Sequence, residues 1–218
     1  MAPRSCRRRD RQDCGRGIGH DAVVSASLLA PARLWTRAEV LGRPCPVPAA
    51  AGVYAWYFDD TPPGVPVEGC HRVDGMVLLY VGISPKRPPA NGDSASKQTL
   101  RSRVRYHHRG NAYGSTLRLT LGVLLADELG IGLRRVGSTG SRLTFSDGEA
   151  VLNDWMAAHA RVCWVEDPQP WLLETPLIEG VDLPLNLAQN AHGNFHAELS
   201  QARARQRELA RSLPVLPR

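Results

Sequence analysis

The chain has no C-x-x-C pair, no apolar run near the roughly 18 residues that a membrane helix needs, and no acid between positions 97 and 118. Each absence closes off a class. The cysteines, Cys6, Cys14, Cys45, Cys70 and Cys163, are odd in number and scattered, which argues against a disulfide framework. Their spacing also matches no common zinc pattern, so they read as reduced thiols of a cytoplasmic protein. The basic start is not followed by an apolar core of signal-peptide length. "AVVSASLLA" is short and comes late, and the expectation is a protein without a leader and without a membrane partner. No repeat is visible. "GRGIG" at 15–19 has no strand before it, so a dinucleotide loop is not expected there.

What is present suits one globular domain. The chain has 218 residues, of which 43% are hydrophobic and 22% charged, with Gly 20 and Pro 17 making its connections rich in turns. The net charge of +6 is unevenly spread. Residues 1–20 carry six Arg against two Asp, 97–118 one Lys and five Arg, and 203–218 five Arg against one Glu. Basic clusters of this kind suit a polyphosphate partner, because each cation placed on a phosphate releases a counterion. The competing reading for the two ends is a pair of solvated tails.

Periodicity orders the rest. Residues 1–30 show no clear period and read as a basic, disordered arm. "RLWTRAEVL" suggests a short helix capped by Thr36. Apolar runs predict strands at about 52–59 and 76–83, antiparallel across a Pro/Gly-rich loop. A helix follows at about 98–109, then one capped by Ser115, a strand at 142–146, a helix capped by Asp147, and a strand at 161–167. A short helix over "QPWLLETPLIEG" and a basic amphipathic helix over 193–218 complete the chain. The expected class is α+β: a small, mainly antiparallel sheet of about three core strands flanked by helices. The domain is expected to span 31–192, with its core at about 50–190.

Both central strands bring a tyrosine close to a glycine: "GVY" at 52–54 and "YVG" at 80–82. In "TLRSRVRYHHRG", Arg101 and Arg105 share one helix face, and Arg103 and His107 another. A guanidinium beside an imidazole suits phosphate binding and proton transfer. Glu174 stands among Leu172, Leu173, Leu177 and Ile178, where a carboxylate is costly unless it is paired or holds a cation. Asn186 follows in "PLNLAQN".

This constellation resembles the GIY-YIG nuclease family over roughly residues 50–190. "GVY" and "YVG" are similar to its two signatures, and Leu100 with Arg103 matches the spacing of its helix arginine. His107 stands where the family places tyrosine or histidine. "ETPLI" matches its glutamate segment, and Asn186 its late asparagine. The Arg/His pair is most similar to the restriction-endonuclease-like members. Three features depart from the smallest members: a long loop between the strands, an insertion over 130–167, and Pro176 within the glutamate helix.

The resemblance implies a metal-dependent endonuclease acting on DNA, with RNA left open, in restriction, defence, repair or mobile-element biology. Tyr54, Tyr80, Arg103, His107, Glu174 and Asn186 would be its catalytic set. Glu174 would hold one Mg²⁺ or Mn²⁺, since such ions need few protein ligands. Arg103 would grip the phosphate, and Tyr80 would bond water or phosphate. Tyr54 and His107 compete for the role of base, because an unperturbed tyrosine, at a pKa of about 10, is a poor base near neutrality. Gly52 and Gly82 would allow close backbone approach. Arg101, Arg105, Arg109 and Arg118 are expected to bind phosphates along the approach. The alternative is a non-catalytic nucleic-acid-binding module on the same scaffold. Nothing in the pattern calls for an oligomer.

Overall fold

Strand β1 (Gly52–Phe58) is apolar at every position and buried at every position, because it lies inside the sheet with helices over both faces. The computed structural model, which describes residues 18–90 and 96–217, pairs it antiparallel with β3 (Met76–Ser84) and with β6 (Ala160–Glu166). A two-residue strand, β2 (Arg72–Val73), extends the sheet to the order β2-β3-β1-β6. The sheet thus has four strands where the apolar runs predict about three, since β2 is too short to show a period.

One face of β1, carrying Tyr54, Trp56 and Phe58, packs with α3 (Leu100–Arg109), α4 (Thr116–Leu124) and α6 (Gly148–His159). The other, carrying Val53, Ala55 and Tyr57, meets α1 (Ile18–Leu29) and α7 (Trp171–Gly180). The Thr36 and Ser115 caps form as expected, the first as a full capping box ahead of α2 (Arg37–Leu41). Four residues after α4 make a further turn, α5 (Ala126–Leu129), closed by left-handed Gly130. Among the described residues no helix is long and apolar enough to cross a membrane.

The pairing of β1 with β3 holds an irregularity that matters for function. Trp56 pairs with Tyr80 and Tyr57 with Leu78, so Leu79 is an extra residue on β3. Strict alternation would put Tyr80 on the face of Leu78, away from Tyr54. Through the bulge, Leu79 and Tyr80 both join the cluster that contains Tyr54, while Leu78 and Val81 join the opposite one. The bulge therefore carries Tyr80 to the face of Tyr54.

Both ends depart from the tail reading. Residues 1–17 lie outside the described residues, but the arm expected over 1–30 contains α1, whose Val24 and Leu28 are buried. Tyr57 donates a hydrogen bond to the Leu28 carbonyl at 2.7 Å. The last helix, α8 (His196–Ser212), is tied to the domain. It packs on α4 and on β4 (Arg134–Val136), which pairs with β5 (Arg142–Thr144). Arg135 donates to the carbonyls of Ala210 at 3.2 Å and Leu213 at 2.8 Å, and Leu216 bridges Val136. Charge counting misses this because a helix can be basic outside and apolar inside.

Candidate active site

Helix α3 begins where β1 begins. The Leu100 and Arg101 amides donate to the carbonyls of Ala50 and Pro48, and Leu100 and Val104 are buried against the sheet. Gly52 is what permits this closeness: a Cβ there would collide with the Val165 carbonyl and sit 2.6 Å from Leu100 Cδ1. So anchored, α3 aims Arg103 into a cleft of about 540 Å³. Tyr54, Tyr80, Gly82, Glu174 and Asn186 line the same cleft. Gly82 stands opposite Tyr54, and a Cβ on it would fall 2.5 Å from the Tyr54 hydroxyl oxygen. The glycine of "YVG" thus leaves room for the tyrosine of "GVY".

His107 does not line the cleft. It is fully buried behind Tyr54, with Nε2 2.9 Å from the Tyr54 hydroxyl and Nδ1 2.7 Å from Ser115 Oγ. Burial first, then the charges of Arg103, His108 and Arg118, hold its pKa well below the usual range, so the ring is neutral near pH 7. Ser115 Oγ also accepts the Arg118 amide at 3.1 Å, so the neutral ring donates to one of Ser115 and Tyr54 and accepts from the other. Arg103 Nε donates to the Tyr54 oxygen at 3.4 Å. His107, Arg103 and Tyr80 thus all meet the Tyr54 hydroxyl. Burial raises the Tyr54 pKa, and Arg103 opposes that rise. Burial raises that of Tyr80 as well, with Arg103 and Arg203 opposing.

Arg103 is otherwise held by a 2.8 Å bond from Nη1 to the Gly114 carbonyl, which leaves its Nη2 end for a ligand. Helix α7 passes through Pro176 without a break and presents Glu174, whose Oε2 accepts from Gln189 Nε2 at 3.0 Å. Among the described residues no Lys or Arg forms an ion pair with Glu174, and no group of three or more His, Cys, Asp and Glu gathers anywhere. A lone carboxylate open to solvent suits a hard cation that keeps most of its waters, and does not suit zinc. Asn186 acts on the strand: Oδ1 accepts the Val81 amide at 2.9 Å and Nδ2 donates to the Val81 carbonyl at 2.8 Å. It pins the open edge of β3 between Tyr80 and Gly82, and so is a positioning residue.

The arginines expected along the approach lie elsewhere. Arg101 Nε donates to the Val47 carbonyl at 2.7 Å and Arg105 Nη1 to that of Val40 at 2.8 Å, on the α2 side of the helix. Arg109 is exposed at the end of α3, away from the cleft. Arg118 is wholly buried, bonded to Glu149, Asn153 and the His107 carbonyl. A helix shows a cleft only one stripe, and Arg103 occupies that stripe on α3. The cations that do line the cleft besides Arg103 are Lys86, Arg203 and Arg207, and the exposed ring of Tyr113 stands at its edge. The one signal for Arg203 was its place on the inward stripe of α8 with Leu199 and Ala210, where an aliphatic residue is the ordinary choice.

A sheet that sets two tyrosines, an arginine and an unpaired carboxylate around one basic cleft defines a phosphodiester-type site. Residues 52–205 match the family model described as the GIY-YIG catalytic domain, and the chain belongs to that nuclease family. No curated protein and no solved structure matches it. The match begins at Gly52 and reaches into α8, so it takes in every cleft residue named above except Arg207.

Proposed function

We propose that the protein is a metal-dependent endonuclease that hydrolyses phosphodiester bonds in DNA, working in the cytoplasm. The observation that carries this reading is the convergence of Tyr54, Tyr80, Arg103 and Glu174 on one open cleft. Hydrolysis requires a water to lose a proton as it attacks phosphorus, and the P–O bond in line with it to break. The leaving oxygen then gains a proton from solvent.

Glu174 would hold Mg²⁺ or Mn²⁺; the bound ion supplies charge neutralisation at the phosphate and favours ionisation of water. The Nη2 end of Arg103 would grip a phosphate oxygen, where developing charge strengthens the bond. Tyr54 is the base that meets the water. Arg103, donating to its oxygen, and His107, in hydrogen-bond contact with it, support the phenolate once the phenolic proton is lost. His107 acts from behind and does not touch substrate. Tyr80 directs its hydroxyl to the water or the phosphate. The Arg103/His107 pairing supports a restriction- or defence-like setting, because the restriction-like members share it.

The test is incubation with supercoiled plasmid, and in parallel with RNA, plus and minus Mg²⁺. Nicking or linearisation that requires the metal and disappears in Glu174→Gln supports the reading. Binding with no cleavage by the wild type would mark a non-catalytic module. Cleavage of RNA alone would move the substrate class.

A further inference from the structure

Arg203 is in an unusual position. It lies on the inward stripe of α8 and is 7% exposed, yet among the described residues its Nε and Nη1 have no hydrogen-bond partner and no acid pairs with it. Arg207, one turn on, adds a like charge to the same cleft wall. Glu174 lines that cleft too, but no ion pair joins it to either arginine. Burial and Arg207 push the Arg203 pKa down, and Tyr80 alone is set against them. An arginine cannot shed its charge near neutrality, so the guanidinium remains an unpaired buried cation. Its position is imposed, because α8 is tied to α4 and to the β4–β5 hairpin. A fold that holds a cation without a partner beside an open cleft has kept a place for an anion.

We infer that Arg203, with Arg207 at its side, is a second phosphate-binding group of the cleft. It takes a backbone phosphate oxygen in front of Tyr80, on a helix separate from the one that carries Arg103. This deepens the nuclease reading and rests on it for the identity of the ligand. The anion site itself rests on α8 alone. Guanidinium geometry favours bidentate contact with phosphate, and two arginines one turn apart can share one phosphate or hold neighbouring ones. Arg207 is half-buried and stands nearer to solvent, which suits it to guide the strand while Arg203 anchors it.

The experiment uses the full chain in EDTA, so that cleavage plays no part. Melting temperature is read in inorganic phosphate and in sodium chloride of equal ionic strength, for wild type, Arg203→Met and Arg203→Lys. Binding of a short labelled DNA duplex is read across a salt series. Phosphate should raise the wild-type melting temperature above that in chloride. Arg203→Met should melt higher than wild type in chloride, since it removes an unpaired buried charge, and should gain nothing from phosphate. Its DNA affinity should fall about tenfold or more, with the log–log salt slope shallower by about 0.9. Arg203→Lys should recover part of the phosphate effect. An Arg203→Met protein that melts lower in chloride yet keeps the phosphate shift would make the guanidinium structural and overturn the inference. So would an unchanged DNA affinity and slope in Arg203→Met, and cleavage by the wild type would then leave the nuclease reading standing. If the wild type cuts nothing but shows a phosphate shift that depends on Arg203, the anion site stands and the nuclease reading falls.

Discussion

Two regions of this molecule each hold a buried arginine and a glutamate, and they use them in opposite ways. Behind the cleft, Arg118 and Glu149 meet directly; Asn153 and the His107 carbonyl take up further donors of Arg118, and Glu149 also accepts the amides of Ala112 and Phe145. In the cleft, Arg203 and Glu174 line one wall system and do not pair, and Arg203 has no partner for two of its nitrogens. The first region is closed to further ligands. The second is a set of charges held apart around an open cleft. Burial alone therefore does not tell the two arginines apart; satisfaction of their donors does.

The sharpest way to break that comparison is to cut the cleft chemistry. Tyr54→Phe should lower cleavage by about 10²–10⁴-fold, the usual worth of a positioned base. Loss of the Glu174 charge removes several kcal/mol of transition-state stabilisation, so Glu174→Gln should lose at least about a hundredfold in rate while still binding DNA. Single-turnover rates and anisotropy read both. The pH profile separates Tyr54 from His107. With burial holding the tyrosine up and the histidine well down, the wild-type rate should climb from neutral into alkaline pH, with no inflection near the usual histidine range. A limb near pH 6.5 that vanishes in His107→Ala would return the base role to histidine.

The closed region should fail as structure. Glu149→Gln leaves Arg118 buried and short of its counter-charge, which should cost about 3–5 kcal/mol of stability by denaturant titration. The activity of each molecule that remains folded should hold. If cleavage falls with stability unchanged, the two regions are not separate.

A smaller effect comes from the histidine pair between them. His107 and His108 are both fully buried; burial foremost, then neighbouring arginines, bring His108 to about 3. The unfolded chain binds protons at these residues near the ordinary histidine pKa, and the folded chain does not. Stability is thus fully present above about pH 6.5 and is lost as pH falls toward 3, at up to about 1.4 kcal/mol per pH unit for each residue. His108→Phe, which keeps an aromatic edge on Trp56, should flatten part of that slope in urea titrations from pH 7 to 4.

The smallest expected change is none. Arg101→Gln with Arg105→Gln should leave the salt dependence of DNA binding untouched, because both guanidiniums bond carbonyls on the α2 side. A slope reduced by about 0.9 per residue would show that DNA wraps that face too.

Much of the site was legible before any coordinates. Tyr54, Tyr80, Arg103 and Glu174 stood in order, at spacings that strand and helix periodicity could place. Gly52 and Gly82 could be read as points of close approach, and the packing gives each its collision partner. The N-terminal helix was not legible because α1 is short of contrast: its buried Val24 and Leu28 stand beside exposed Val23 and partly buried Leu29, so no stripe stands out. Arg118 and Arg203 could not be told apart, since both are arginines on amphipathic helices within basic segments.

Local sequence decided what depends on neighbours along the chain. Apolar runs make β1 and β3, Thr36 and Ser115 start their helices, and the Leu100, Val104, His107 stripe fixes which side of α3 goes down. What depends on partners far along the chain was decided by the tertiary structure. The bulge at Leu79 exists only as a register between two strands; beyond it Tyr80 pairs with Trp56 and shares the face of Tyr54, while Leu78 turns to the other face. His107 is held between Tyr54 and Ser115, whose hydroxyl also caps the start of another helix. Whether a buried arginine is spent or free depends on the elements that pack around it. Glu149 of α6 reaches Arg118, and among the described residues no carboxylate reaches Arg203, because charge satisfaction is a property of three-dimensional neighbours.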